Sequence, residues 1–586
     1  MQMKRWVLSI GLLFLIGCTM STERSYTTVE KPFAEVSQDD KEAFVAVAVD
    51  SLHALAGMPK NTEIPERVAT VALSGVITAL RKNGSLLAEG RADSGSTTTE
   101  LIQQSVDDVR RKASVKSAQG VQVQLFLLGS GRLLDAWYDH GRHALQVQAG
   151  DKEYTIRNSF AIERNYTREK LQERICNQIS KERTCFDDSD VVVTVHPVLH
   201  IGTSASGTGM VERYRGRTVA EYSDAVLDLV PDGLHAAERR LVDAVQSDGT
   251  FTYLYSPSNG EYSRNNNMIR QLMASRVLAE MSYDNDELAV LHRKNIDYVL
   301  KNRYEESWDK GYILYENESK LGATAMLIRT LVASPFYDEY KDVAEKAFAT
   351  IMAMQQETGE LDARYIAPDY EYDEDYLLTF YSGEAILALV ELYEKTQNQK
   401  FLDAARLSQD FYLTRYVDEI DERYYPAYVP RHSMSLRKLY SATKEQTYAD
   451  AVFFLNDKLL TEMLHTDRDD PIDLLGRFYN PQFPDYWTPH SASDSVYLEG
   501  LVYAYDLAVE LNDADRQERY VAAIRLGVHN LLSLQYDEDD TYFMRYPQRV
   551  LWAIRYRADD NRIRVDTTQH TIDAFRALEN RLSDQQ

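Results

Sequence analysis

The sequence predicts an α/α toroid of six helical hairpins, preceded by a small α+β domain. The first observation is a change of hydrophobic period, from two residues before about residue 203 to a helical period after about residue 233. The second is a helix–turn–helix plan that recurs five times in the later region. The third is a helical segment at each end of that region, and these two segments would pair and close a ring.

The composition limits the classes of partner. The chain has 586 residues, of which 44% are hydrophobic and 27% are charged, and its formal net charge is −26. Such a composition is typical of a globular protein with room for two or more domains. The negative charge argues against a nucleic-acid partner, because proteins that bind nucleic acids neutralise phosphates with Lys and Arg.

The first 17 residues are predicted to be a signal peptide. A basic start precedes an apolar core over residues 7–16, which is too short to span a bilayer as a helix. Leu15-Ile16-Gly17-Cys18 resembles the lipobox of bacterial lipoproteins, which implies lipidation at Cys18. With Thr19 next, the resemblance implies anchoring in the outer membrane, facing the periplasm. A plain signal peptide with an incidental cysteine is the alternative.

Residues 18–38 are polar and predict a tether, and residues 39–203 predict the α+β domain. Helices are expected near 39–56, 99–113 and 167–181, with period-two strands between them. The Asn83-Gly84 pair favours a tight hairpin. Cys176 and Cys185 predict a disulfide, with two buried thiols as the alternative. Without histidines at ligand spacing, the two cysteines are not a zinc site.

The order of elements over about 70–200 resembles the AMMECR-like domain. The resemblance includes the LRKNG hairpin, the helix TTTELIQQSVDDVRRKA and the helix EKLQERICNQI. Where that family usually carries a Gly-Cys-Ile-Gly stretch, this chain reads AEGRADSG (88–95). Any function tied to that stretch is therefore not expected here.

Residues 204–232 predict a linker, and residues 233–586 predict the toroid. An apolar helix, a polar turn and a more charged helix recur at 275–300, 326–352, 386–413, 435–460 and 503–532. The segment 563–579 supplies a sixth inner helix, and 233–246 supplies its outer partner. Connections from outer to next inner helix are long, so the long loops are expected on one rim, above the N-termini of the inner helices.

The rim loops are rich in aromatic and polar side chains, as in YNPQFPDYWTPHSASDSVYLEG. Tyr and Trp beside carboxylates, Asn and His are typical of sugar-binding sites. The alternative is that these tyrosines pack on one another.

Glycan chemistry needs positioned acids and bases, and the candidates lie at or near the starts of inner helices. We predict catalytic roles for Glu384, Asp375, Asp494, Asp566 and His570, with Asp373 and Glu499 as further candidates. Glu384 would lie one turn into its helix, where capping the helix is the alternative role. Asp566 and His570 are four residues apart and could form an oriented acid–imidazole pair, or a structural hydrogen bond.

Arginines cluster at the entry to the last inner helix, although the chain is strongly acidic. Guanidinium groups suit carboxylate, sulfate or phosphate, so an anionic ligand is expected. Pairing with nearby Asp559 and Asp560 is the alternative. The predicted substrate-binding residues are Arg270, Tyr381, Trp487, His490, Tyr497, Arg545, Arg549 and Arg564.

The second half resembles the six-hairpin toroids of carbohydrate-active enzymes: glycoside hydrolases, polysaccharide lyases and uronyl epimerases. That resemblance implies a glycan-processing domain. Together with the lipobox-like start and the arginine cluster, it predicts a lipid-anchored periplasmic enzyme that acts on an anionic polysaccharide, and no metal or cofactor is expected. A non-catalytic lipoprotein whose toroid binds a glycan or a partner protein is the second hypothesis.

Overall fold

The computed structural model describes residues 33, 36–54, 73–93, 95, 97–113, 120–134, 138–182, 184–207, 209–369, 374–419, 425–467, 472–479 and 490–583. The predicted signal peptide, the predicted lipidation site Cys18, the candidate acid Asp373 and the predicted sugar-binding residue Trp487 lie outside these residues.

An antiparallel sheet forms the centre of the α+β domain. Its strand order is β2-β1-β3-β7-β5-β6, and β4 and β8 also pair with β7. The strands are β1 (Gly75–Lys82), β2 (Ser85–Ala92), β3 (Gln122–Leu128), β4 (Arg132–Leu133), β5 (His143–Ala149), β6 (Lys152–Ile156), β7 (Val191–Thr203) and β8 (Met210–Arg213). The helices are α1 (Gln38–Ala54), α2 (Thr98–Ala113), α3 (Ser159–Arg164) and α4 (Arg168–Gln178).

Two of the apolar clusters in this domain join its helices to the sheet. Side chains of α1 and α2 pack on β1, β3 and β7 in one core, and α4 packs on β5, β6 and β7 in the other. Asn83 and Gly84 form the β1–β2 turn with φ angles of 50° and 73°. A disulfide joins Cys176 and Cys185, whose Cα atoms are 5.7 Å apart.

Part of the segment predicted as a linker is ordered structure. Strand β8 pairs with β7, and a 3-10 helix (Asp224–Leu229) leads into the first helix of the toroid. Residues 204–207 of the Gly- and Ser-rich segment form a turn after β7, in which the N–H of Gly207 donates to the carbonyl oxygen of Ser204 at 2.9 Å.

Six inner helices form a closed ring, because each contacts the next and the last contacts the first. The inner helices are α6 (Met268–Met281), α8 (Leu321–Val332), α10 (Glu374–Thr396), α12 (Val429–Thr443), α14 (Ser491–Glu510) and α16 (Val565–Ser583). Their outer partners are α7 (Asp286–Asn302), α9 (Tyr337–Met354), α11 (Gln399–Leu413), α13 (Gln446–Met463), α15 (Ala514–Leu534) and α5 (Val230–Asp243). This arrangement is an α/α toroid, and α5 and α16 pair as predicted.

The long connections carry short strands. These are β9 (Leu254–Ser256), β10 (Glu261–Tyr262), β11 (Tyr304–Ser307), β12 (Lys310–Ile313), β13 (Ser319–Lys320), β14 (Arg364–Ile366) and β15 (Ile563–Arg564). Because β9 pairs with β15, the first and last units are also joined by backbone hydrogen bonds. Within the described part of the chain, no helix is both long enough and apolar enough to cross a bilayer.

Candidate functional site

Charged side chains from all six inner helices meet inside the ring. We call this group the axial belt; it consists of Arg276, Arg329, Glu384, Arg431, Glu499, His570 and Asp573. Every member is at most 8% exposed. In α6, α8, α14 and α16 the belt lies about two turns from the helix N-terminus, below the loop-rich rim. Groups of this kind are rarely buried unless they are paired.

Glu384 lies between two guanidinium groups. Arg329 donates to one carboxylate oxygen at 2.7 Å, and Nε of Arg431 lies 2.6 Å from the other. Burial alone would raise the pKa of Glu384, but Arg431 and Arg329 together lower it below the usual value. Glu384 is therefore a permanent anion that links three helices.

The other side of the belt combines an imidazole with two carboxylates. Ligand-type atoms of Glu499, His570 and Asp573 all lie within 4.8 Å of one another. Arg431 donates to Glu499 at 2.9 Å and to Nδ1 of His570 at 3.3 Å. Asp573 forms an ion pair with Arg276. Because Nδ1 of His570 accepts hydrogen bonds, its neutral ring carries the proton on Nε2.

Two of these groups have shifted pKa values of functional interest. Burial raises the pKa of Glu499 to about 7, because nearby Arg431 offsets only part of the desolvation and Asp573 adds repulsion. Burial, together with the positive charge of Arg431, holds the pKa of His570 well below 6.5. Near neutral pH the site therefore offers a carboxyl group that can gain or lose a proton beside an uncharged imidazole.

The composition of this group also resembles a divalent-metal site. The atoms that would bind a metal, however, already accept hydrogen bonds from protein groups. Gln569 donates to His570 Nδ1 at 3.3 Å and also donates to Asp573. The nearby charges of Arg276 and Arg431 would repel a cation. The residues present thus suit proton transfer better than metal binding.

The predicted carboxylates occupy three different environments. Asp494 is buried and accepts from Arg477 at 3.2 Å, from Asn530 at 3.1 Å and from the backbone N–H of Phe478 at 3.0 Å. Asp375 is 72% exposed at its side chain and pairs with Arg415 at 2.8 Å. The structure therefore brings neither residue into the axial belt.

Asp566 is bound by two arginines at the seam between the first and last units. Nε of Arg564 donates to it at 2.6 Å, and Nε of Arg270 lies 3.0 Å away. Burial opposes ionisation, but Arg564 and Arg270 hold the pKa of Asp566 below its usual range. The predicted pair between Asp566 and His570 is not formed, because Asp566 faces Arg564 and Arg270 while His570 faces Arg431.

The predicted position of Glu384 was wrong in one respect. Helix α10 begins at Glu374, so Glu384 lies ten residues inside it and cannot cap its N-terminus. Ser382, two residues before Glu384, is also helical and donates to the carbonyl oxygen of Leu378 at 2.7 Å. The helix begins earlier because Leu377 and Leu378 add a buried turn.

Those predicted binding residues that the structure describes do not form one surface. Tyr497 is 7% exposed and packs on Phe478. Tyr381 packs against Gly322, where a Cβ atom would meet its ring at 2.5 Å. His490 caps α14 by accepting from the backbone N–H of Ser493 at 3.2 Å.

Arg545 and Arg549 remain available for a ligand. Arg549 stacks on the rings of Tyr546 and Tyr262, at 4.2 Å and 5.5 Å, and Arg545 lies 5.3 Å from Tyr546. Neither arginine forms an ion pair with an acidic side chain of the described residues. Stacking leaves the N–H edge of a guanidinium group open to a ligand, although Arg549 also hydrogen-bonds the Tyr255 side chain.

Sequence reasoning missed most of the axial belt. Arg276, Arg329, Arg431 and Asp573 did not figure among the candidates, and Glu499 appeared only as a secondary one. The signal was a charged residue inside an otherwise apolar inner helix, as in MLIRTLV around Arg329. Because the belt residues are spread over six hairpins, only the closed ring shows that they meet.

No family model matches the chain, and no curated protein matches it. Among solved structures, 88 chains match. One is a GH76 α-mannanase of Bacteroides thetaiotaomicron, at 11% identity and a TM-score of 0.45 over 62% of this chain and 100% of that chain. Another is a D-mannose isomerase, at 12% identity and a TM-score of 0.46 over 60% of this chain and 98% of that chain.

A third match concerns a smaller part of the chain. It is an uncharacterised protein of Pyrococcus horikoshii, at 13% identity and a TM-score of 0.26, which covers 31% of this chain and 99% of that chain.

Proposed function

We propose that this protein is a lipid-anchored enzyme of the bacterial cell envelope whose toroid performs acid–base chemistry on a glycan. The observation that carries the proposal is the grouping of Glu499, His570 and Asp573 within 4.8 Å inside the ring, with Arg431 and Arg276 bound to them. Catalytic sites commonly combine a carboxyl group poised near neutral pH with fixed donors.

Each residue has a role that follows from its protonation state. Glu499 transfers the proton, because its pKa of about 7 lets it act as acid or base near neutral pH. His570 donates from Nε2–H to a sugar oxygen, and Arg431 stabilises the negative charge that develops there. These roles favour proton transfer at a carbon atom, as in isomerisation or epimerisation.

Hydrolysis is the other reaction that the carboxylates support. Glu499 would then protonate the glycosidic oxygen, and Asp573 would face the sugar as the second carboxylate. Glycosidases that retain configuration place the two groups about 5–5.5 Å apart. Asp573 is less suited to this role, because it already accepts from Arg276 and Gln569.

An anionic polysaccharide is the proposed substrate class, and attachment through Cys18 is the proposed anchor. Arg545 and Arg549 support the anionic substrate, since neither forms an ion pair with a described acidic residue and both lie beside the half-buried ring of Tyr546, with exposed Tyr262 also next to Arg549. The signal-like sequence of residues 1–18 supports the anchor.

The test uses the mature chain, a panel of neutral and uronate-containing oligosaccharides, and mass spectrometry in D2O. Solvent deuterium at a sugar carbon marks isomerisation or epimerisation, new reducing ends mark hydrolysis, and unsaturated uronates mark a lyase. E499Q and H570N are expected to lower turnover at least about 100-fold. E445Q, which removes a surface carboxylate paired with Arg406, is the matched control. Full turnover in both E499Q and H570N would overturn the proposal.

A non-catalytic toroid is the second candidate, and one observation favours it. The belt residues are nearly inaccessible and paired with one another, as expected of a structural network. In that case the oligosaccharides bind without turnover, and E499Q changes stability but not affinity.

A further inference from the structure

The α+β domain contacts the toroid at the 3-10 helix Ile472–Leu474, where Asp473 pairs with Arg215, and along one long loop. This loop, which we call the closing loop, comprises residues 535–562 and connects α15 to α16. Tyr542 lies within it and is buried against the α+β domain, with Arg213 4.4 Å from its ring and His200 5.9 Å away. The guanidinium of Arg213 also donates to the backbone oxygen of Asp539 at 3.0 Å.

Glu163 of α3 is the centre of this junction. Its carboxylate accepts from both Arg157 Nη atoms, at 2.6 Å and 2.7 Å, and from Arg81. The hydroxyl of Tyr542 donates to the same carboxylate at 3.2 Å. Burial would raise the pKa of Glu163, but Arg157 and Arg81 lower it to about 2, so the carboxylate is charged at neutral pH. Because this acceptor is buried and charged, removal of the Tyr542 hydroxyl takes away one of the donors that compensate its burial.

Asn561 makes a second connection at the other end of the closing loop. Its side-chain amide donates to the backbone oxygen of Ile162, next to Glu163, and its backbone N–H donates to Asn165 Oδ1 at 2.7 Å. Asn165 ends α3 with a positive φ of 53°. One short helix of the α+β domain therefore holds both Tyr542 and Asn561.

The closing loop leads directly into the helix that carries three of the site residues discussed above. Asn561 is followed by β15 and then by α16, which contains Asp566, His570 and Asp573. With both ends of the loop attached to α3, the start of α16 has little freedom to shift. The position of His570 relative to Glu499 thus depends on contacts made outside the toroid.

We propose that the α+β domain serves as a positioning partner of the toroid, and that Glu163 is its central positioning residue. Through Tyr542, Glu163 holds the closing loop and thereby sets the placement of α16 in the ring. This role needs no activity of the α+β domain itself, and it holds whether or not the toroid is an enzyme.

The experiment compares Y542F, E163Q and E89Q in the full mature chain by hydrogen–deuterium exchange. E89Q is the matched control, because Glu89 also pairs with Arg157 but is 35% exposed at its side chain. Y542F removes only the hydroxyl group and so tests the proposal even if E163Q does not fold. Y542F is expected to speed exchange over 536–570 roughly ten-fold, while E89Q leaves that segment unchanged.

A second readout tests whether the effect reaches the axial belt. In protein labelled with nitrogen-15 histidine, the ring signals of His570, assigned with H570N, are expected to shift in Y542F and not in E89Q. Faster exchange confined to the loop, with unchanged His570 signals, would overturn the positioning role. Unchanged exchange in Y542F would overturn the proposal entirely. Neither readout uses a substrate, so failure here is distinct from failure of the proposed enzymatic function.

Discussion

At the scale of single residues, the axial belt contains both buried ion pairs that link the inner helices and the candidate catalytic groups. Glu384 has two guanidinium partners and is locked as an anion, whereas Glu499 shares Arg431 with Glu384 and faces Asp573. The pKa of Glu384 is therefore lowered and that of Glu499 is raised, although both are glutamates of the same belt. Pairing decides which carboxylate is structural and which can exchange a proton.

The raised pKa of Glu499 predicts a pH dependence of stability. The unfolded carboxyl group has a pKa of about 4.3, and the folded group has a pKa of about 7, so the folded protein binds the extra proton between these values. The stabilisation is present below the unfolded value and is lost as pH rises through 7. We expect the free energy of unfolding to fall by on the order of 2 kcal/mol from pH 5 to pH 8.

E499Q checks this assignment, because glutamine resembles the protonated carboxyl group at every pH. Denaturant midpoints measured from pH 5 to pH 8 are expected to vary less in E499Q than in the parent protein, and E445Q is expected to follow the parent. An E499Q profile as steep as that of the parent would assign the titration to another group.

At the scale of elements, the polar turn of three repeats supplies the N-terminal cap of the outer helix. Asn285 accepts from the backbone N–H groups of Glu287 and Leu288, both at 3.1 Å, and so begins α7. Asn398 and Asp513 do the same for α11 and α15. Capping satisfies backbone donors that a helix start leaves free. The repeated Asn and Asp are therefore signals for the second helix of a hairpin.

A substitution in the turn of the β1–β2 hairpin tests the junction between the domains. Gly84 has a φ of 73°, and a Cβ atom there would overlap the backbone carbonyl of Met544 in the closing loop. G84A is therefore expected to destabilise the protein by roughly 2 kcal/mol beyond the cost of the positive φ alone. Thermal or denaturant midpoints measure the difference.

Gly150 supplies the matched control for this substitution. It also has a positive φ, of 61°, in the turn of a hairpin, but a Cβ atom there would meet nothing within 4 Å. G150A should carry only the backbone cost. Equal destabilisation by G84A and G150A would mean that Gly84 is not in tight contact with the toroid.

At the scale of the whole molecule, the toroid depends on closure between its first and last units. Strand β9 pairs with β15, and Arg270 of α6 reaches Asp566 of α16 at 3.0 Å. These contacts join residues almost 300 positions apart in the sequence. Without closure, the apolar sides of α6 and α16 would face water.

D566N is predicted to weaken closure. The neutral side chain leaves Arg564 and Arg270 without their shared carboxylate, so we expect a loss of about 3 kcal/mol. D559N is the control. Asp559 pairs with Arg557, two residues before it, as Asp566 pairs with Arg564, but the Asp559 side chain is 38% exposed. We therefore expect D559N to lower the free energy of unfolding by less than about 1 kcal/mol. Similar denaturation midpoints for the two variants would show that the Asp566 ion pairs contribute little to closure.

Local patterns predicted much of the fold. The period-two segments became β1, β3, β5, β6 and β7, and the six-hairpin repeat became the ring, including the pairing of α5 with α16. Strand β8 was missed because a Gly-rich turn precedes it, and the start of α10 was misplaced because its first turn looks like a polar loop. In both cases tertiary packing overrides weak local preference.

The sequence by itself determined the helix and strand pattern, the repeat, and therefore the toroid, because periodicity and capping are encoded over a few neighbouring residues. Only the tertiary structure decided which charges meet. Glu384 joins Arg329 and Arg431, and Glu499 joins His570 and Asp573, although these residues belong to different hairpins. The pKa of a buried group depends on neighbours that ring closure brings together, so the candidate site appears only once the ring is formed.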